Sequence, residues 1–178
     1  EGGRYKVLRR IGSGGFGVVY EVQRTQANYR RAMKVLSADL TRNANIQRQF
    51  VEEAEILNGL DHPNIYKLYE TWETDRICFL STEYCRGGEL FYYIVKQEQK
   101  HVTEGEAALV MRQAFSALKY LHENSICHRD IKPHNVFVST HGQPAIGDFG
   151  ISSIDSERTT TGGAGFSINY AAPEVFEE

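Results

Sequence analysis

The chain has 178 residues, of which 41% are hydrophobic and 24% are charged, as is ordinary for a globular protein with one core or two small lobes. Its net charge of −3, with acidic and basic residues interspersed, argues against a nucleic-acid-binding surface or a surface for anionic membranes. No apolar run approaches a membrane span, and the first residues lack the layout of a secretory signal. We therefore expect neither nucleic acid nor a membrane among the partners.

Three cysteines, Cys78, Cys85 and Cys127, form an odd set without the spacing of metal ligands. An odd number of scattered cysteines predicts reduced thiols rather than a disulfide framework. We therefore expect an intracellular, cytoplasmic protein.

Residues 5–36 predict three short strands. Val7, Leu8 and Ile11 precede a glycine-rich turn, an apolar run at 18–22 follows it, and a second run at 32–36 comes after the polar turn 25–31. Because no helix intervenes, we expect antiparallel hairpins. A dinucleotide-binding oxidoreductase is disfavoured, since its glycine motif opens a helix between parallel strands.

A helical period follows between Ile46 and Leu60. Ile46, Phe50 and Leu57 share one stripe, and Glu53 occupies a position on that stripe where an apolar residue is due. Lys34 lies equally awkwardly in the apolar run 32–36, and an unpaired charge in either place would be costly. The sequence predicts a Lys34–Glu53 ion pair; the alternative is a lysine and a glutamate that each reach solvent separately.

The second half of the chain predicts mainly helices. Strand-like runs at 65–72 and 77–82 precede a polar joint at 83–88, which is the predicted boundary between domains 1–84 and 85–178. A short helix is expected at Leu90–Val95, and TEGE at 103–106 is a capping-box signature for a longer one. We predict that this longer helix is the central buried helix of the second domain, with these residues on one face: Ala107, Ala108, Met111, Ala114, Phe115, Leu118 and Leu121.

The end of the chain predicts a small hairpin and a loop. Val136–Val138 and Pro144–Ile146 form the expected hairpin, and the segment 150–165 has no periodicity and is rich in Ser, Thr and Gly.

Three motifs carry the candidate chemistry. HRDIKPHN at 128–135 places many costly polar groups beside hydrophobic segments and matches the kinase catalytic-loop order H-R-D-x-x-x-x-N. GSGGFGVV at 12–19 has glycines that let backbone N–H groups approach phosphates, although any tight turn also uses glycine. DFG at 148–150 adds an oxygen ligand suited to Mg²⁺.

With these motifs, Lys34, Glu53 and APE at 172–174, the sequence resembles a eukaryotic protein kinase catalytic domain. The resemblance implies an α+β, two-lobed fold: an antiparallel β-sheet N-lobe with one helix, then a mainly helical C-lobe, incomplete at its C-terminal end. It implies an ATP-dependent phosphotransferase that uses Mg²⁺ and acts on protein substrates.

The resemblance also implies roles for individual residues. Asp130 is the catalytic base, and the other implied catalytic residues are Lys132, Asn135, Lys34 and Glu53. Asn135 and Asp148 are the implied metal ligands. Glu83 and Cys85 are expected to meet adenine through their backbones, Thr82 to guard the back of the pocket, and Glu89 to contact ribose. The full nucleotide-binding set is Ile11, Gly12, Ser13, Gly14, Gly15, Phe16, Gly17, Val19, Ala32, Lys34, Thr82, Glu83, Cys85, Glu89, Phe137 and Asp148.

Two residues favour the serine/threonine type. Lys132 lies two positions after Asp130, and Ser167 lies where that type has a Thr before APE. The stretches LDHPNI at 60–65 and YCRGGELF at 84–91 are most similar to the calcium/calmodulin-dependent and calcium-dependent kinases. The physiological substrate, the activating signal and the oligomeric state stay open.

Several departures and options accompany this interpretation. His134 stands where a Glu commonly precedes the metal-binding Asn, which leaves a preference for basic substrates open. Phe166 stands where a Gly commonly precedes the Ser/Thr, which leaves the alignment of this loop open by one residue. Arg129 is a candidate to bind a phosphate on the loop, at Thr159, Thr160 or, first by position, Thr161. The alternative function is a pseudokinase or truncated scaffold that binds nucleotide without catalysis.

Overall fold

The computed structural model describes residues 4–14, 17–36, 38–74, 77–150, 152 and 167–173. Gly15, Phe16, Phe166, Glu174 and the threonines at 159–161, all named above as candidates or departures, lie outside the described residues. The described chain divides into two units, the first comprising Glu1–Leu60 and Tyr66–Cys85 and the second comprising Asp61–Ile65 and Arg86–Glu178.

The first unit is an antiparallel sheet with two helices. Its strands lie in the order β1-β2-β3-β5-β4, and every neighbouring pair is antiparallel. This confirms the predicted N-lobe sheet and its hairpins. The elements are β1 (Tyr5–Gly14), β2 (Gly17–Arg24), β3 (Arg30–Leu36), α1 (Ala38–Thr41), α2 (Ala44–Asn58), β4 (Leu68–Thr74) and β5 (Ile77–Glu83).

Helix α2 packs its apolar stripe inward, as the sequence predicts. Phe50, Ile56 and Leu57 are buried together with Glu53. Asn43 begins the helix by accepting hydrogen bonds on Oδ1 from the backbone N–H groups of the first turn, which satisfies donors that have no partner within the helix. The short helix α1 carries no sequence signal that we recognised.

The second unit combines helices with a small sheet. Its elements are β6 (Gly88–Glu89), α3 (Leu90–Val95), α4 (Glu104–Glu123), β7 (Val136–Val138), β8 (Pro144–Ile146) and a 3₁₀ turn (Ile168–Tyr170). The predicted hairpin of β7 and β8 is present, and β6 extends it to three strands. Within the ranges that the structure describes, no helix has the length and apolar composition needed to cross a membrane.

The segment Asp61–Ile65 belongs to the second unit although it follows α2 in the chain. Asn64 explains this placement, because its Nδ2 donates to the Pro144 carbonyl at 2.9 Å and its own carbonyl accepts from Ile146 N–H at 2.8 Å. The His62 ring lies 5.2 Å from the Tyr120 ring. The chain therefore contributes to the second unit twice, first with Asp61–Ile65 and again from Arg86 onward. The sequence predicted a single boundary, at 84/85.

The prediction that α4 is buried along one apolar face is wrong in part. Only Ala114, Ala117 and Leu121 are buried on this helix, whereas Met111 and Phe115 are 49% and 59% exposed. At 100° per residue, Ala108, Met111 and Phe115 form a second stripe beside the buried one. The predicted face therefore merged two stripes, and only one of them packs against the described part of the second unit.

The capping box at the start of α4 gives a first test of local stability. Thr103 Oγ1 accepts from Glu106 N–H at 3.3 Å, and Glu106 Oε2 accepts from Thr103 N–H at 2.8 Å. Thr103→Ala is expected to lower the free energy of unfolding by about 1 kcal/mol, because Glu106 N–H loses its acceptor and the Glu106 carboxylate loses the hydroxyl that donates to it. Urea denaturation measures the loss, with Thr103→Ser, which keeps the hydroxyl, as the control. Equal stability of the two variants would contradict the cap.

Candidate active site

A buried ion pair joins β3 to α2. Lys34 Nζ lies 2.5 Å from Glu53 Oε2, and the two side chains are 15% and 2% exposed. Tyr66 OH donates to the other carboxylate oxygen at 3.4 Å. The predicted pairing is therefore present, and the alternative of two separately solvated charges does not apply. An ammonium fixed in this way can be presented to an anion with little further ordering.

The glycine-rich turn has a backbone reason for at least one of its glycines. Gly17 has φ +114°, and a Cβ built on it would lie 2.3 Å from the Val35 carbonyl oxygen of the neighbouring strand. Any side chain at this position would clash, so β2 can begin beside β3 only with glycine. This requirement explains Gly17 without a ligand, and phosphate binding by the turn stays a prediction.

Four nucleotide-site candidates share one face of the first sheet. Val19 lies opposite Lys34 in the β2–β3 register, and Ala32 lies opposite Thr82 in the β3–β5 register. Directly opposed residues point to the same side, as do residues two apart on one strand, so all four side chains lie on the same face. Sheet register thus brings together four of the residues that the resemblance assigns to a nucleotide.

The catalytic-loop motif forms a closed hydrogen-bond cluster in the second unit. Asp130 Oδ2 accepts from Lys132 Nζ at 2.6 Å and from Asn135 Nδ2 at 2.9 Å. Asn135 Nδ2 also donates to the Asp130 carbonyl at 2.9 Å. Lys132 Nζ donates further to Ser167 Oγ at 2.6 Å. Lys132 and Asn135 therefore hold the carboxylate in position, and Lys132 also contacts the segment before residues 172–174.

These contacts decide the protonation state of Asp130. Burial alone raises the pKa of this carboxyl, but the hydrogen bond and charge of Lys132, with the hydrogen bonds of Asn135 and Ser167, outweigh burial and hold the pKa below its ordinary value of 3.8. Asp130 is thus ionised at neutral pH and able to accept a proton. Its contribution to folding stability is present above the unfolded-state pKa and is lost as pH falls through the lower folded pKa.

Without Lys132, burial should raise the pKa of Asp130. Lys132→Met deletes the largest influence that lowers the Asp130 pKa, so we expect the acid limb of the kcat profile to move to higher pH, together with a lower maximal kcat. The profile of kcat against pH for the variant and the wild type measures this shift. An acid limb at the same pH in both proteins would show that Lys132 does not set the ionisation of Asp130.

His128 is buried and makes contacts that link two of the sequence motifs. Its ring lies 4.8 Å from the Phe149 ring at an angle of 59°. Nε2 is within 2.9 Å of the Gly147 carbonyl, and Nδ1 accepts from Asp130 N–H at 3.2 Å. These partners require the neutral tautomer protonated on Nε2, and burial is the main cause that lowers the His128 pKa. The ring thereby connects the motif at 128–135 to DFG.

Two site residues adopt a backbone conformation that side chains disfavour. Arg129 has φ +67° and Asp148 has φ +58°, in the left-handed region where strain is concentrated at functional sites. Asp148 is exposed, so its carboxylate can be reached by a ligand. Arg129 is the candidate to bind a loop phosphate, and this stays a prediction because its proposed partners are outside the described residues.

The remaining candidates differ in their chemistry. Glu89 lies opposite Phe137 in the β6–β7 register, and burial is the main cause that raises the Glu89 pKa. Burial, and then the charge of Glu83, raises the pKa of the Cys85 thiol to about 12. Cys85 is therefore no nucleophile at neutral pH, which suits a role for its backbone alone.

Two residues make contacts that the sequence did not predict. The His134 ring stacks on Phe91 with centroids 4.2 Å apart. The histidine that replaces the family's usual glutamate therefore makes an aromatic contact. Glu21, in β2, is buried with three hydrogen-bond donors on its carboxylate. A charged residue within the apolar strand pattern at 18–22 was the available signal, as at Lys34.

Comparisons with known proteins agree with this geometry. A family model described as the protein kinase domain matches residues 5–178. Serine/threonine-protein kinase PrkC of Bacillus subtilis (strain 168) is 37% identical over 174 residues, covering 97% of this chain and 26% of that protein. Serine/threonine protein kinase OSK3 of Oryza sativa subsp. indica is 35% identical over 175 residues, covering 96% and 33%. Calcium-dependent protein kinase 3 of Plasmodium yoelii yoelii is 39% identical over 172 residues, covering 93% and 30%.

The chain thus spans between a quarter and a third of the length of these curated relatives. Their names confirm the resemblance to serine/threonine kinases, the calcium-dependent ones included. Because the family model matches almost the whole chain, the protein belongs to the protein kinase domain family.

Proposed function

We propose that the chain is the catalytic domain of a serine/threonine protein kinase, which transfers the γ-phosphoryl group of ATP to a Ser or Thr hydroxyl of a protein substrate. The observation that carries this proposal is the Asp130 cluster: an ionised, buried carboxylate held by Lys132 and Asn135. The names of the relatives, each a protein kinase, support it.

Asp130 acts on the acceptor hydroxyl. Its carboxylate orients the hydroxyl and accepts its proton as the oxygen attacks the γ-phosphorus and the bond to the ADP oxygen breaks. Lys132 carries the positive charge nearest to Asp130 and offsets negative charge that develops on the transferred group. Base catalysis alone supplies about 10²–10⁴-fold, so positioning and charge stabilisation must supply most of the acceleration.

The donor set fits magnesium. Asn135 engages its amide nitrogen with Asp130, which directs the amide oxygen away from these acceptors, and Asp148 offers an exposed carboxylate. Amide and carboxylate oxygens are the ligands that this hard cation takes, and it shares its other positions with water and phosphate. These two residues would hold Mg²⁺, which when bound neutralises phosphate charge.

Most of the residues proposed for ATP lie in the first unit. Lys34, held by Glu53, would contact the α- and β-phosphates, and the glycine-rich turn would cover the phosphates. The backbones of Glu83 and Cys85 would bind adenine, with Thr82 behind it and Glu89 on the ribose. The shared face of Val19, Ala32, Lys34 and Thr82 supports this assignment.

Ser167 supports the choice of Ser/Thr acceptors. Its hydroxyl accepts from the same Lys132 ammonium that bonds Asp130, so the segment before residues 172–174 and the catalytic base share one lysine.

We further propose an intracellular protein, since Cys78, Cys85 and Cys127 are all free thiols.

A pseudokinase would bind nucleotide without transferring phosphate. We expect ATP with Mg²⁺ to raise the melting temperature of the protein and the same mixture to phosphorylate a Ser/Thr peptide. A magnesium-dependent thermal shift without any transfer would favour the pseudokinase, and the absence of both would contradict the proposal as a whole.

A further inference from the structure

A buried carboxylate outside the catalytic cluster joins three strands of the first sheet to the chain segment after β5. Glu21 lies in β2, and its side chain is only 2% exposed. Oε1 accepts from Arg30 Nη1 at 2.6 Å, and Oε2 accepts from Arg9 Nε at 2.7 Å and from Tyr84 OH at 3.0 Å. Arg9 Nη2 also donates to Tyr84 OH at 3.0 Å. We name these four residues the Glu21 network.

Sheet register brings the network together. Arg9 of β1 lies directly opposite Glu21, and Arg30 of β3 is two residues from Ala32, the residue opposite Glu21 on the other side. Such direct and diagonal neighbours interact on one face of a sheet. Tyr84 follows β5 immediately. One carboxylate therefore connects β1, β2 and β3 to the chain segment 83–85.

The network is a connection made by charges rather than by apolar packing. Burial by itself raises the Glu21 pKa, but the hydrogen bonds from Arg9, Tyr84 and Arg30 outweigh burial and lower it. The two arginine side chains stay 65% and 59% exposed, so they close over the carboxylate while remaining hydrated. A charge satisfied in this way fixes the position of its partners more narrowly than an apolar contact does.

The position of the network points to the nucleotide. Glu21 lies opposite Ala32, so it shares the sheet face on which Val19, Ala32, Lys34 and Thr82 lie. Its tyrosine lies between Glu83 and Cys85, the two residues proposed to bind adenine by their backbones. A backbone acceptor or donor discriminates a base only if it is held still.

We propose that the Glu21 network positions the segment 83–85 for adenine, and that Glu21 and Tyr84 set the affinity for the adenosine part of ATP without taking part in phosphoryl transfer. This inference rests on the proposed function, because it needs an adenine nucleotide as the ligand. The Asp130 carboxylate bonds to Lys132, Asn135 and Ser167, none of which belongs to the Glu21 network. Loss of the network should therefore raise KM for ATP and leave kcat at saturating ATP nearly unchanged.

Tyr84→Phe is the most conservative test, since it removes one hydroxyl and keeps the ring. The hydroxyl bonds both a carboxylate and a guanidinium, so we expect KM for ATP to rise by about three- to tenfold. Glu21→Gln should raise it at least as much, because Gln presents one acceptor oxygen where the carboxylate presents two. Tyr29→Phe, in the turn between β2 and β3, and Arg10→Gln, in β1, are the matched controls. Tyr29 is 58% exposed, and both residues lie outside the network.

A comparison of adenosine with ATP distinguishes a role in positioning the 83–85 segment from a general loss of stability. We expect Ki for adenosine, measured as competition with ATP, to rise by the same factor as KM for ATP in Tyr84→Phe, because adenosine carries no phosphate. KM for the peptide should stay at the wild-type value. Thermal melting of each variant, without ligand, accompanies the kinetics.

The outcomes are distinct. Parallel increases in adenosine Ki and ATP KM, with kcat and peptide KM unchanged, support the inference. Unchanged adenosine Ki in both Tyr84→Phe and Glu21→Gln overturns it, even if their melting temperatures fall, because the network is then only structural. A wild-type protein that neither binds ATP nor transfers phosphate overturns the proposed function instead.

Discussion

Asp130→Asn is expected to lower kcat for phosphoryl transfer by about 10²–10⁴-fold, the range that a positioned general base supplies. The substituted amide has almost the same shape and can still accept the Lys132 hydrogen bond, which is 2.6 Å long in the wild type. It cannot take the proton of the acceptor hydroxyl. The measurement is single-turnover transfer to a Ser/Thr peptide at saturating ATP and magnesium.

Two features make this substitution informative. KM for ATP should change little, because Asp130 acts on the acceptor hydroxyl rather than on the nucleotide. Asp39→Asn, at an exposed position in the first turn of α1, is the control for removing one negative charge. Wild-type kcat in Asp130→Asn would remove Asp130 from the mechanism.

Lys34→Met is expected to abolish measurable transfer and also to destabilise the fold. The substitution removes the positive charge beside Glu53, whose side chain is 2% exposed and still accepts a hydrogen bond from Tyr66 OH at 3.4 Å. Removing one partner of a buried ion pair costs about 3–5 kcal/mol, because the other charge stays buried and uncompensated. Chemical denaturation measures the free energy of unfolding, and labelled ATP measures transfer.

A double variant separates these two effects. Lys34→Met combined with Glu53→Leu replaces the pair with apolar side chains, so we expect stability to return towards the wild-type value while transfer stays absent. Recovery of transfer in the stabilised double variant would show that the lysine acts only through folding. Glu52→Leu, on the same helix but paired with Arg48 at the surface, is the control for the second substitution.

Local patterns were the most predictable part of this chain. The capping box at Thr103 and the paired strands β7 and β8 depend on residues close in sequence, and both are present as expected. The Lys34–Glu53 pair was also predictable, although its members are far apart, because each charge lies where an apolar residue is due. A charged residue at a position where the pattern predicts an apolar one can be recognised without any knowledge of the fold.

Features that depend on three-dimensional assembly were not predictable in the same way. The apolar residues of α4 divide into two stripes, and nothing in their spacing says which one packs inward. The crossing of Asp61–Ile65 into the second unit depends on hydrogen bonds between Asn64 and β8. Glu21 carries the same signal of a charge in an apolar strand as Lys34, but its three donors come from β1, β3 and the segment after β5, so the sequence does not indicate its partners.

The activity that we propose for this chain is transfer of a phosphoryl group to Ser or Thr with Asp130 as the base. The most direct test is identification of the phosphorylated amino acid after incubation of the wild-type protein with γ-labelled ATP, magnesium and a mixed pool of Ser-, Thr- and Tyr-containing peptides. We predict phosphoserine and phosphothreonine with the wild-type protein, and labelling that is about 10²–10⁴-fold slower with Asp130→Asn. Label on tyrosine alone, or no label with the wild-type protein, would contradict the account.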